Sequence, residues 1–246
     1  MQGKVVLVTG GAKRVGAAIS RRLHAAGAGI ALHYRYSAAE AEALAAELNA
    51  LRPGSAELVQ ADLLHAAGLP LLVHETVRQF GRLDALVNNA SSFFPTPLEE
   101  VSEQQWDDLI GTNLKAPLFL AQAAACELRR NRGAIVNIVD IHAERPMHGH
   151  LVYSVAKAGL AALTRARAVE LAPEVRVNAV APGAILWPEN PGWDDRALRE
   201  QIVGQTLLRR VGDPDDIAKT VQFLLQDAPY ITGQVVNVDG GKSINH

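Results

Sequence analysis

Tyr153 and Lys157 lie four residues apart in LVYSVAKAGLAALTRARAVEL, a stretch of helical periodicity, so the spacing predicts both on one helix face about a turn apart. An unperturbed tyrosine is a poor acid or base near neutral pH. A nearby ammonium stabilises its phenolate and draws its pKa toward the working range. The same lysine has the reach to hold the ribose hydroxyls of a nicotinamide nucleotide. A packed tyrosine beside a surface lysine would carry the same spacing. Asp140 stands just after an apolar run, one loop before this helix. A carboxylate is a poor choice for steadying a carbonyl oxygen that becomes more negative, but it suits proton relay to a ring nitrogen or stabilisation of a protonated imine. It therefore points to C=N reduction, with a turn aspartate capping the next loop as the alternative. Phe93 and Phe94 sit in a polar, proline-bounded segment; one can enter the core while the other stacks on a flat heteroaromatic ring. Asn113 falls inside a predicted helix, an unfavourable place for asparagine. It predicts a distortion whose carbonyl holds a water at the end of a Tyr-Lys proton path, or else a cap where two helical segments meet.

A second constellation is VVLVTGGAKRVG at residues 5–16, where an apolar strand passes through a glycine turn into a helix. This arrangement cradles a dinucleotide pyrophosphate at a helix N-terminus. Gly10 allows the tight turn, Gly11 lets phosphates approach the backbone, and Gly16 lets the helix approach the sheet. Position 14, where a further glycine is often found, is arginine. After the second strand the stretch HYRYS lacks the acidic residue that usually holds a ribose 2'-hydroxyl in NAD sites. It carries Arg35 and Ser37, both suited to a 2'-phosphate, which predicts NADP(H). Solvated surface arginines at 14 and 35 are the alternative. Asp62 is an expected acceptor for the adenine amino group, and Asn88 and Ala90 are expected to pass close to the riboses.

These residues require elements to position them. Runs rich in Val, Ile and Leu recur at 5–9, 29–34, 56–60, 83–87, 134–139, 175–180 and 235–238, with helical stretches between them. The pattern predicts a single-domain α/β fold: Rossmann-like, doubly wound, with a seven-stranded, largely parallel sheet flanked by helices on both faces. Helices are expected at 15–26, 37–51, 69–80, 102–130 as one helix or a pair, 151–171, 195–207 and 214–226. Ser37 with Glu40, and Ser102 with Gln105, read as capping boxes. The chemical residues all follow predicted strands, where ligands sit in such sheets, so they should converge on one cleft. APGAILWPENPGWDD is too rich in proline and tryptophan for a continued helix, and a substrate lid is expected at about 184–207.

The 246 residues carry a formal net charge of -2, which offers no field for nucleic acid or an anionic membrane. One cysteine, Cys126, excludes an internal disulfide. The chain enters a strand at once, without a signal peptide, and its apolar runs are too short to span a bilayer, so a cytoplasmic protein is expected. His142, His148 and His150 share one irregular loop with no HExxH context and no outside cysteine, so no metal is expected.

Residues 9–16, Asn88-Asn89-Ala90, Asn113, Tyr153 with Lys157, Pro182-Gly183 and the closing ITGQVVNVDGG together resemble the short-chain dehydrogenase/reductase superfamily over essentially the whole chain. Within it the chain resembles the pteridine reductases through TGGAKRVG, HYRYSAAEAEALAAELNALRPGSAELVQADL, VNNASSFFPTPL and an aspartate at 140 where most members have serine. The resemblance implies an NADPH-dependent reductase of biopterin- and folate-type substrates, commonly a homotetramer. It implies catalytic roles for Asp140, Tyr153, Lys157 and Asn113, with Tyr153 in contact with Asp140. The expected cofactor contacts are Gly10, Lys13, Arg14, Val15 and Gly16; His33, Arg35, Tyr36 and Ser37; Asp62 and Leu63; Asn89, Ala90 and Ser91; Tyr153 and Lys157; and Pro182 and Gly183. Substrate contacts are expected from Arg14, Ser91, Phe93, Asp140, Tyr153 and Trp187, with Phe93 forming a sandwich with the nicotinamide. One departure is Arg35-Tyr36-Ser37, where the best-known pteridine reductases have His-Arg-Ser, so the arginine has moved by one position. A ketone reductase acting through Tyr153, for example on 3-oxoacyl thioesters, and a catalytically silent NADP-binding regulatory protein are the competing readings.

Overall fold

The alternation of apolar residues along each strand sorts them onto two faces. In the computed structural model, which describes residues 1–188 and 193–245, strand β1 (Val5–Val8) sends Val6 and Val8 into one buried cluster and Leu7 into another. The same division repeats in β2 (Gly29–Tyr34), β4 (Ala85–Asn88) and β5 (Ala134–Ile138). With β3 (Ala56–Gln60), β6 (Arg176–Pro182) and β7 (Val235–Val238) they form one seven-stranded sheet in the order β3-β2-β1-β4-β5-β6-β7. All six pairings are parallel. Helices α1 (Arg14–Ala25), α2 (Ala38–Leu51) and α8 (Pro214–Gln226) supply Leu23, Leu48 and Leu224 to the first cluster. Helices α3 (Leu69–Phe80), α5 (Ala116–Arg130) and α6 (Leu151–Leu171) supply Leu72, Leu128 and Leu171 to the second. The fold is thus the single-domain, doubly wound α/β architecture anticipated from the strand pattern, and the strand order reverses between β1 and β4.

The long stretch at 102–130 is a pair of helices. Helix α4 (Glu103–Ile110) opens with the expected capping box of Ser102 and Gln105. A π-helical turn (Gly111–Lys115) then joins it to α5. The other expected box does not form. Ser37 has ψ 55, outside the extended conformation that aims a capping oxygen, and makes no side-chain cap. Glu40 instead pairs with Lys13 at 2.5 Å. Helix α7 (Arg196–Gly204) is shorter than expected and is capped by Asp195. The expected lid at 184–207 includes residues 189–192, which lie outside the described residues. Among the described residues, no helix is long and apolar enough to cross a membrane, and no cluster of three or more His, Cys, Asp or Glu side chains is arranged to hold a metal.

Candidate active site

The carboxyl ends of β1 to β6 open into a cleft of about 520 Å³. Its walls take in Gly10, Lys13, Arg14, Val15, Gly16, His33, Arg35, Tyr36, Ser37, Asp62, Leu63, Asn89, Ala90, Ser91, Phe93, Asp140, Tyr153, Lys157 and Pro182. Residues from seven separate stretches of sequence are therefore brought together. Gly183 and Trp187 do not line it. A Cβ on Gly183 would lie 2.7 Å from the Asp239 backbone, so this glycine answers to packing against the turn after β7. Trp187 stacks with Trp193, centroids 6.5 Å apart, and lies beneath the Arg199 guanidinium.

The glycine turn is held from several sides. Gly10 has φ +59, a left-handed conformation open to glycine at little cost. A Cβ on Gly16 would sit 2.1 Å from the Gly10 carbonyl oxygen and 2.6 Å from the Asn89 amide, so the start of α1 can approach the turn this closely only without a side chain. Arg14 also has positive φ, 52°, so the arginine that replaces a glycine keeps a glycine-like backbone. Such a conformation costs a non-glycine residue about 1 kcal/mol or more. Its guanidinium donates to the Trp187 carbonyl at 2.8 Å, tying the turn to the segment after β6. Behind the turn, His33 Nδ1 accepts from the Gly10 N–H at 3.1 Å, leaving Nε2–H to donate to the Ala61 carbonyl at 3.1 Å. Burial lowers the His33 pKa to about 4, which keeps the ring neutral and this tautomer in place. Thr9 completes the arrangement: its hydroxyl accepts the N–H groups of Asn89 and Ala90.

One expectation on this side is corrected. Asn88 does not face the cleft; it is buried and donates to Asn137, which in turn donates to Thr164. Asn89 does line the cleft, but its amide also braces the turn through the Thr9 and Gly10 carbonyls. Arg35 and Asp62, expected to meet phosphate and adenine separately, pair with each other at 2.8 Å. Arg35 also lies over the Tyr36 ring, 4.6 Å from its centroid, and its Nε is buried without a hydrogen-bond partner.

On the other side of the cleft, Tyr153 donates its hydroxyl to Asp140 Oδ2 at 2.8 Å. The second oxygen, Oδ1, accepts the His142 N–H at 2.8 Å and caps a 3₁₀ turn (Ile141–Ala143). Asp140 is therefore the turn cap that the alternative reading expected, and its other oxygen is held against the Tyr153 hydroxyl. Lys157 is fully enclosed, donates to the Ile138 carbonyl at 3.0 Å and lies 5.5 Å from the Tyr153 ring centroid. Burial draws its pKa down to about 8, against a smaller opposing pull from Asp140. The expected depression of the Tyr153 pKa is not found. Burial, then the Asp140 charge and hydrogen bond, push it well above the ordinary value, so the phenol holds its proton.

Asn113 lies in the π-helical turn, as its unfavourable position in a helix foretold. Its amide donates to the Ser92 and Leu109 carbonyls, and its oxygen accepts from the Ser91 hydroxyl at 2.6 Å. Asn113 is buried behind the cleft wall and steadies Ser91, which lines it. Phe93 stands edge-on to Tyr153, with centroids 4.9 Å apart and ring planes at 83°. Thr96, which sequence reasoning missed, receives the Val152 N–H on its hydroxyl and donates its own N–H to the Gly149 carbonyl at 2.6 Å.

Residues 10–243 match the family model described as enoyl-(acyl carrier protein) reductase. The chain belongs to the short-chain dehydrogenase/reductase superfamily. It is an oxidoreductase, and reductases of this superfamily use NAD(P)H. Similar short-chain reductases include pteridine reductase 1 of Leishmania tarentolae, 40% identical over 98% of this chain and 96% of the relative. The 3-oxoacyl-[acyl-carrier-protein] reductase FabG of Staphylococcus aureus strain Mu50 is also 40% identical, over 97% of each chain. An uncharacterized oxidoreductase of Methylorubrum extorquens is 39% identical over 98% of each.

Proposed function

We propose that this short-chain reductase is an NADPH-dependent pteridine reductase that saturates a C=N bond of dihydropterins, with biopterin, dihydrofolate and folate as further substrates. The observation that carries the reading is the Tyr153–Asp140 hydrogen bond at the cleft wall. It joins a phenol that is protonated before reaction, and so has a proton to give, to a carboxylate whose two oxygens both act as acceptors.

The cleft fits NADPH. The glycine turn and the start of α1 suit the pyrophosphate, and Ser37 with the unpartnered Nε of Arg35 suits a 2'-phosphate. Asp62 would exchange its pairing with Arg35 for the adenine amino group, and Lys157 would hold the nicotinamide ribose hydroxyls. NADPH supplies a hydride to the imine carbon. Tyr153 passes its proton to Asp140, and Asp140 delivers a proton to the substrate nitrogen, so each C=N reduced takes up one hydride and one proton. Lys157 balances the charge left on this pair, and Arg14 and Ser91 border both ligands. Asn113 fixes Ser91. The segment just after β6, tied to Arg14 through the Trp187 carbonyl, belongs to the lid, and the working enzyme is a cytoplasmic homotetramer.

A second reading, 3-oxoacyl thioester reduction, is favoured by the FabG relatives and by Tyr153, Lys157 and Asn113, which would serve a ketone equally well. It leaves Asp140 beside an oxygen gaining negative charge. The test follows NADPH consumption with dihydrobiopterin, dihydrofolate and a panel of ketones and 3-oxoacyl thioesters. Pterin turnover that Asp140→Asn lowers by about 10²-fold or more, with NADPH affinity kept, is expected. Turnover of ketones alone overturns the proposal.

A further inference from the structure

We infer that His150 is a positioning residue: a backing plate that fixes the Phe93 ring and so favours flat bicyclic substrates over flexible acyl chains. The inference deepens the pterin reading and rests on it. Phe93 lies against the His150 imidazole with centroids 4.7 Å apart and planes only 14° from parallel. With one face so covered, Tyr153 edge-on at 4.9 Å and Trp193 tilted at 6.3 Å, Phe93 has its remaining face to offer a ligand, and it lines the cleft. His150 itself is 7% exposed and does not line the cleft.

The imidazole is held in plane. Its Nδ1 lies 3.1 Å from the His148 carbonyl, which can only accept, so Nδ1 carries the hydrogen. Nε2 is then left buried with no hydrogen-bond partner. A buried, unpaired acceptor is unfavourable, and a carbocyclic ring of similar size would avoid it. The imidazole is tolerated because its other nitrogen supplies the tether that sets the ring plane.

The backbone fixes this plate relative to the chemistry. His150 precedes α6, and its carbonyl accepts the Ser154 N–H, so the plate belongs to the helix that carries Tyr153 and Lys157. Thr96, three residues beyond Phe93 and fully buried, clamps the Phe93 loop to the same helix start through Gly149 and Val152. The Phe93 ring plane is thereby set relative to the Tyr153 hydroxyl and Asp140. A flat heteroaromatic gains from a fixed stacking face, whereas an acyl chain gains little from its orientation.

The test uses the full-length enzyme and two readouts. The first is affinity of the NADP⁺ complex for pterin, the bare bicyclic ring. The second is steady-state turnover of dihydrobiopterin and of a short 3-oxoacyl thioester. His150→Leu should weaken pterin binding and raise the dihydrobiopterin KM by about tenfold, change kcat less than about twofold and leave the thioester KM unmoved. His150→Phe should restore affinity to within about threefold of wild type, and Phe93→Leu with His150→Leu should be no worse than Phe93→Leu alone. Pterin binding unchanged in His150→Leu, effects that add in the double variant, or equal losses in His150→Phe and His150→Leu with a lowered melting temperature would each overturn the inference. A wild type whose pterin affinity falls in His150→Leu but which turns over only thioesters overturns the activity proposed above and leaves the plate standing. Absence of pterin binding in the wild type overturns both.

Discussion

Around the glycine turn the cleft is held by tight backbone turns and buried hydrogen bonds, with Gly16 seated against Gly10 and His33 bridging Gly10 to Ala61. Around Asp140 it is held by side chains from loops distant in sequence: Tyr153 on Asp140, Thr96 on the start of α6, Phe93 on His150. The first wall suits a ligand of fixed shape, recognised through backbone groups. The second assigns its recognition to replaceable side chains, so one fold can serve different substrates.

The sharpest way to separate the walls is Tyr153→Phe. It should lower turnover of every substrate by about 10³-fold while stopped-flow binding of NADPH changes less than threefold. Gly16→Ala should do the reverse: its methyl meets the Gly10 carbonyl, so NADPH affinity should fall about 100-fold and stability by about 2 kcal/mol, read by titration and denaturant unfolding. Arg35→Ala should weaken NADPH about tenfold or more and leave NADH nearly unchanged, and equal losses for both would remove Arg35 from the 2'-phosphate site. Lys157→Met probes the join between the walls. Because burial depresses the Lys157 pKa to about 8, the unfolded chain holds an extra proton between that value and the ordinary 10.5. Wild-type stability should therefore gain on the variant as pH rises through this window, by at most about 3 kcal/mol, and the gain should be gone at pH 7. The smallest effect is expected of Arg14→Gly, which relieves a positive φ. It should stabilise the apoenzyme by up to about 1 kcal/mol while raising the KM for both ligands.

Legibility in the sequence followed the same division. Strands β1 to β7 were readable as runs rich in Val, Ile and Leu, with β1, β2, β4 and β5 alternating between two cores, and the π-helical turn announced itself through an asparagine where helices disfavour one. Arg14, Arg35, Asp140, Tyr153 and Lys157 were readable because their types are unusual immediately after strands or at helical spacing. What escaped depends on partners that no local window contains. The Thr96 clamp joins residues more than fifty positions apart, and His150 gains its partner only when two loops meet. The Tyr153 pKa was misjudged in direction because spacing reveals the lysine but not how deeply the phenol is buried. Ser37 and Glu40 formed no cap because the Ser37 backbone is not extended, and Glu40 pairs with Lys13, a partner distant in sequence.

The π-helical turn between α4 and α5 also sets a phase. A wider turn inserts one residue of rotation, about 100°, between two segments that would otherwise read as a single helix. Deleting one residue from Gly111–Lys115 would heal the helix and swing Asn113 out of line with Ser91, while each flanking helix kept its own apolar stripe. The chain thus carries a deliberate miscount whose correction would regularise the helix and misalign the residues it serves.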